Sequence, residues 1–233
     1  MKRKFKIFRY DPEKDKKPYY KEYEIEIEDG WTVLDAINHI HWYVDGTLAF
    51  RRACRSEICG SCAMRINGKN RLACKTQINT LGKGTIKIEP LPGLPIIKDM
   101  VVDMDPFFKN LEKVKPYFIK YSPLPDEEQL QSPEERDVIN EAAMCILCGA
   151  CTTSCPSFWA NPDYLGPAAL LKAYRFIFDS RDEGGKERLE IVNDRNGIWR
   201  CHAIFNCTEA CPKDINITYF IKKLQNLAVN SEF

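Results

Sequence analysis

The placement of cysteine constrains this chain more than any other feature. Eleven cysteines fall into three groups. Cys54, Cys59 and Cys62 are spaced C-x4-C-x2-C, and Cys74 follows. Cys145, Cys148, Cys151 and Cys155 are spaced C-x2-C-x2-C-x3-C and run into Pro156. Cys201, Cys207 and Cys211 repeat the second run in register and end in Pro212, but Ile204 stands where the second cysteine belongs. Eleven cysteines in 233 residues are too sparse for a disulfide scaffold, and an odd number would leave one thiol over. The start of the chain, Met1 to Tyr10, lacks the apolar core of a secretory signal, and Asp11, Glu13 and Asp15 follow at once, unlike a transit peptide. The thiols are therefore expected in a reducing compartment, where metal binding is favoured over disulfides.

Each spacing points to an iron–sulfur cluster. C-x4-C-x2-C with a more distant fourth cysteine is the plant-type spacing for a 2Fe-2S cluster, which assigns Cys54, Cys59, Cys62 and Cys74. Gly60 sits where a tight loop would turn to aim backbone N–H groups at sulfur. The second run has bacterial ferredoxin spacing, in which the fourth cysteine ligates the cluster of the other run. That crossover gives Cys145, Cys148, Cys151 and Cys211 to a 4Fe-4S cluster and leaves Cys155, Cys201 and Cys207 for another. Isoleucine cannot ligate iron, so a 3Fe-4S cluster is the natural occupant of the three-thiol set. Two rivals stand beside this. His202 as a fourth ligand would keep a 4Fe-4S cluster, although it is adjacent to Cys201 rather than in the register of the missing ligand. Zinc is disfavoured by C-x4-C, which is not a usual zinc spacing.

The chain divides into halves. Lys4 to Ile7 and Tyr23 to Glu28 alternate apolar and charged residues, as half-buried strands do, and the polar run Asp11 to Pro18 between them predicts an antiparallel hairpin. Thr32 and Asp35 form a capping box for a helix through Ile40. Asn67-Gly68 predicts a short hairpin between Ala63–Ile66 and Arg71–Cys74, and Thr85 to Glu89 reads as a closing strand. Prolines 90, 92, 95 and 106 mark a connector. The expected domains are therefore residues 1–104 and 105–233. Beyond the connector the signals are helical: Ser132, Pro133 and Glu135 open one helix, Pro167 another running to Phe178, and a third spans Thr218 to Val229. Tyr174, Phe176, Ile177 and Phe178 read as core. The basic run Lys2 to Arg9 reads as the solvated side of an edge strand, and His39 and His41 as surface or packing residues, since positions i and i+2 share no helix face.

With 34 basic and 33 acidic side chains the net charge is +1, so there is no general basic field for nucleic acid. No stretch has the 18 or so uninterrupted apolar residues of a membrane span.

The motifs together resemble the iron–sulfur subunit of succinate dehydrogenase and fumarate reductase, over essentially the whole chain. The resemblance rests on Cys54 to Cys62, Cys145 to Cys148, Ser154 to Trp159, Tyr174 to Asp182, and Arg200 to Pro212. It implies an α+β chain, a β-grasp plant-type 2Fe-2S ferredoxin domain followed by a helical bacterial-type ferredoxin domain. It also implies a flavoprotein partner whose FAD oxidises succinate, membrane-anchor subunits, and a quinone as electron acceptor, in the tricarboxylic acid cycle and the respiratory chain. The location implied is peripheral, at the cytoplasmic face of a prokaryotic membrane, or the matrix side for a mature mitochondrial protein. No substrate-converting residue is expected on this chain. A quinone pocket beside the three-iron cluster would draw on Pro156, Ser157, Trp159, His202 and Ile204. The sequence departs from a common family pattern at Ala160, where many members have a second tryptophan. A quinol:fumarate reductase would use the same subunit plan. A free multi-cluster ferredoxin is the weaker alternative, opposed by the near-neutral charge, and a scaffold with purely structural clusters is weaker still.

Overall fold

Alternating charged and apolar residues build strand β1 (Lys2–Arg9), and β2 (Tyr19–Glu26) returns antiparallel beside it with Phe5 opposite Tyr23. The protein is described here by a computed structural model covering residues 1–123 and 125–230. It has two units, one made of residues 1–104 and 146–154, the other of the remaining described residues.

In the first unit the Thr32 hydroxyl accepts the Asp35 amide at 3.2 Å and the Asp35 carboxylate accepts the Thr32 amide at 2.9 Å, which fixes the start of α1 (Val33–His39). Strands β3 (Ala63–Ile66) and β4 (Lys69–Leu72) are joined by Asn67-Gly68, with φ of 48° and 80° as a type I′ turn requires. Strand β5 (Ile86–Glu89) runs parallel to β1, and the mixed sheet has the order β2-β1-β5-β3-β4. Phe5, Ile7, Ile66, Ile86 and Ile88 of its inner face close on Val33, Leu34 and Ile37 of α1. Each such side chain contributes about 1.5–3 kcal/mol on burial. This is the β-grasp arrangement. A small pair, β6 (Ile96–Lys98) and β7 (Val101–Val102), completes the unit.

The basic run at the start of the chain does not lie on an edge strand, although Lys2 and Lys4 face solvent. β1 lies inside the sheet between β2 and β5, and Arg3 and Arg9 are buried in phase with Phe5 and Ile7. Arg9 is accommodated because its guanidinium reaches Asp99 at 3.0 Å, Asp45 at 2.7 Å, the Tyr23 hydroxyl at 2.6 Å and Thr47 at 2.8 Å. Burial alone would raise the Asp45 carboxyl, but hydrogen bonds from Lys21, Thr47, Tyr23 and Arg9 hold it well below the usual carboxylate range. The histidines do pack: His39 lies between the rings of Trp31 and Tyr43, and His41 Nδ1 is 3.0 Å from the Leu48 carbonyl.

Residues 146–154, which the sequence reading places in the second domain, pack with the first unit. Asn70 on β4 donates to the Ala150 carbonyl at 3.1 Å and to Thr153 Oγ1 at 2.9 Å, and Ile146 and Cys148 rest on the β-grasp core.

The other unit is helical. α2 (Asp105–Lys113) follows the connector, and α3 (Pro133–Ala143) starts at the Ser132–Glu135 capping box with Pro133 in its first turn. The single turn α4 (Ala150–Thr153) belongs to the first unit; α5 (Pro156–Ala160), α6 (Pro167–Ile177), α7 (Gly185–Val192), α8 (Asn206–Glu209) and α9 (Ile217–Asn230) follow. α6 packs against α9, with Leu170, Leu171 and Ala173 of the one and Ile221 and Leu224 of the other buried, and the Tyr174 ring lies 4.4 Å from Phe178 and 4.6 Å from Phe220. Among the described residues no helix is long and apolar enough to cross a membrane.

Candidate functional site

The loop that carries the first three cysteines folds around sulfur. The amides of Ser56, Ile58 and Cys59 donate to Cys54 Sγ at 3.3, 3.4 and 3.2 Å, and the Cys54 amide donates to Cys59 Sγ at 3.4 Å. Arg55 and Glu57 adopt φ of 59° and 61°, which turns successive N–H groups to one side. Neither is glycine, so each costs about 1–2 kcal/mol of backbone strain, offset by amides that find an acceptor. Cys74 joins the group through its amide, 3.5 Å from Cys62 Sγ. The Ser61 hydroxyl and the Cys54 backbone bring the Cys59 thiol down to about 6, whereas burial pushes Cys62 up to about 12. The thiolate form is thus favoured at Cys59 and disfavoured at Cys62 in the absence of metal.

Gly60 closes this loop at φ 71°, and a Cβ there would fall 2.8 Å from Cys148 Cβ and 2.9 Å from Cys148 Cα. The Gly60→Ala change is therefore expected to destabilise the first unit by about 2–5 kcal/mol, from left-handed strain and overpacking together. The check is thermal loss of the 2Fe-2S absorbance in the purified complex. An unchanged midpoint with full cluster content would contradict this contact.

The second run repeats the device, with Leu147 and Gly149 at φ of 55° and 78°. Of the thiols expected for the 4Fe-4S cluster, Cys148 and Cys151 lie in the first unit and Cys145 and Cys211 in the second. Burial pushes the Cys211 thiol up and the charge of Cys145 adds to it, against the amides of Ile215 and Lys213.

The third group lies wholly in the helical unit. Cys155, Cys201 and Cys207 line one small cavity together with Pro156, Ser157, His202 and Ile204. Ala203 and Phe205, at φ of 53° and 68°, bend the backbone between Cys201 and Cys207. Burial raises the thiols of Cys201 and Cys207, and the negative charge of Cys155 raises both further. Three thiols at one cavity, whose charges repel one another, suit a cationic group that takes one thiolate at each of several irons. Among the described residues, no three His, Cys, Asp or Glu side chains gather closely enough for a single metal ion. Ile204 is 47% exposed at this cavity. Trp159, on α5, is also exposed but lies outside this lining. A residue that sequence reasoning missed also reaches the site: Thr218 Oγ1 is 3.5 Å from Cys207 Sγ. No pattern in the sequence separates it from any other threonine at the start of a helix.

Comparison with known proteins places both units. Residues 4–109 match a family described as a 2Fe-2S iron-sulfur cluster binding domain, and residues 137–212 match a 4Fe-4S dicluster domain. The succinate dehydrogenase iron-sulfur subunit of Paracoccus denitrificans is 45% identical over 230 residues, covering 98% of this chain and 88% of that protein. The subunit of the same name from Coxiella burnetii is 44% identical over 224 residues, covering 95% and 94%. A chain of the Mycobacterium smegmatis Sdh1 complex in the apo form superposes with a TM-score of 0.90 at 26% identity, covering 98% of this chain and 96% of that one.

Proposed function

This chain belongs to the succinate dehydrogenase iron–sulfur subunit family, and on that premise we propose that it connects the FAD of a flavoprotein partner to a membrane quinone through three clusters. It is the electron-transfer subunit of an oxidoreductase complex. The observation that carries the reading is 45% identity to such a subunit across 98% of the chain. Iron–sulfur clusters, held by these thiolates, supply one-electron carriers between a two-electron flavin and a quinone, with potentials set by cluster type, burial and hydrogen bonding to sulfur. Cys54, Cys59, Cys62 and Cys74 hold the 2Fe-2S cluster, Cys145, Cys148, Cys151 and Cys211 the 4Fe-4S cluster, and Cys155, Cys201 and Cys207 the 3Fe-4S cluster.

The chain's own part is to hold and insulate. The amides converging on Cys54 stabilise negative charge on sulfur, and burial of Cys62 and Cys207 keeps water from their ligating atoms. Pro156, Ser157, His202 and Ile204, which line the three-thiol cavity, form the quinone side together with Trp159, which shares α5 with Pro156 and Ser157. Ala160 leaves room there for a side chain from an anchor subunit. The subunit sits peripherally at the cytoplasmic face of the membrane, held by those anchors. Succinate oxidation is favoured over fumarate reduction by the names of the two relatives.

Purification from native membranes tests this. The chain should elute with a FAD-containing flavoprotein and anchor subunits, and succinate should bleach the cluster absorbance. A monomer in the soluble fraction that succinate leaves oxidised would overturn the reading.

A further inference from the structure

Thr218 opens α9 almost fully buried, 2% exposed, with its hydroxyl 3.5 Å from the sulfur of Cys207, itself 7% exposed. Behind it, Thr208 Oγ1 lies 3.1 Å from Thr218 Oγ1 and accepts the Thr218 amide, also at 3.1 Å. The arrangement that puts every donor to use runs in one direction. An iron-bound sulfur carries no proton, so between Thr218 and Cys207 only the hydroxyl can donate. The Thr218 oxygen is then open to accept from the Thr208 hydroxyl, whose own oxygen also accepts the Thr218 N–H. Every donor is used once, in the order Thr208 to Thr218 to Cys207.

Resting on the reading of Cys155, Cys201 and Cys207 as ligands of a three-iron cluster, we propose that Thr218, oriented and polarised by Thr208, is a positioning residue that raises the reduction potential of that cluster. Reduction brings one electron, supplied by the neighbouring cluster of the relay, and no proton is transferred to sulfur. The added negative charge is shared with the thiolate ligands. A hydroxyl pointed at one of them binds the reduced state more strongly than the oxidised one, as hydrogen bonds to charged acceptors do. Burial keeps water from substituting for the hydroxyl, and a chain of two hydroxyls strengthens the terminal donor.

The experiment is a redox titration of the purified complex followed by the electron paramagnetic resonance signal of the three-iron cluster. Thr218→Val, which keeps shape and removes the donor, should shift the reduction equilibrium about tenfold toward the oxidised form, about 59 mV for one electron. Thr218→Ser should restore the original midpoint, and Thr208→Val should give a smaller shift of the same sign. Proton coupling provides an independent readout: the signal should show an exchangeable proton, lost in deuterium oxide and in Thr218→Val. An unshifted midpoint in Thr218→Val with the three-iron signal intact overturns the proposal. If that variant assembles no cluster, an unshifted midpoint in Thr208→Val with no exchangeable coupling in the unsubstituted complex overturns it as well. Absence of a three-iron signal from the unsubstituted complex overturns the ligand reading on which the proposal rests.

Discussion

The Ile204→Cys change is expected to convert the three-thiol centre into a four-ligand one, abolishing the oxidised-state resonance of a three-iron cluster. Ile204 stands in the run at the register of a ligand, and in the structure it lines the same cavity as Cys155, Cys201 and Cys207. Its backbone lies between left-handed Ala203 and Phe205, and 47% of the side chain is exposed, so a smaller side chain enters without repacking a core. A fourth thiolate gives a fourth iron its ligand and adds negative charge. The midpoint potential should therefore fall by more than the roughly 59 mV that marks a tenfold one-electron change. Assembly of the complex should be unaffected. Low-temperature resonance spectra of oxidised and dithionite-reduced samples check both points. Persistence of the original three-iron signal at full intensity would show that position 204 does not face the missing corner.

A second large effect concerns stability. Arg188 on α7 is completely buried, paired with an equally buried Asp182, and it donates to the carbonyls of Lys115 and Tyr117. Asp182 in turn accepts the amides of Ile119 at 3.0 Å and Gly184 at 2.7 Å. One ion pair thus ties the segment after α2 to the start of α7. Arg188→Met leaves a carboxylate buried without its cation and should cost about 3–5 kcal/mol. For a chain of this size that lowers the unfolding midpoint by on the order of 10 °C. The double change Arg188→Met with Asp182→Leu should recover part of the loss, because the isolated charge rather than the missing contact is the larger penalty. Thermal loss of cluster absorbance in the complex measures it. A shift under about 1 kcal/mol for the single change would place the pair in solvent rather than in the core.

Much of this arrangement is legible in the chain. Thr32 with Asp35 and Ser132 with Glu135 mark helix starts because the capping interaction is local, and Asn67-Gly68 specifies its hairpin for the same reason. The cysteine runs expose the metal chemistry because ligand spacing is itself a local property. Arg9 misleads because its partners Asp45 and Asp99 lie 36 and 90 residues away, so a buried arginine reads as a solvated one. The left-handed Arg55, Glu57, Leu147, Ala203 and Phe205 leave no trace in composition, since the usual marker is glycine. Asn70 holds residues 146–154 against the β-grasp unit through contacts 80 and 83 positions apart, which no linker argument anticipates. Thr218 reaches Cys207 across eleven residues that include a proline turn, and only the fold brings them together.

Low-temperature electron paramagnetic resonance of the intact, air-oxidised complex shows whether the relay ends in a three-iron centre. A relay ending there should give a nearly isotropic signal just above the free-electron value that disappears when succinate is added. An air-oxidised sample that shows no such signal, with all eleven cysteines intact, would contradict it.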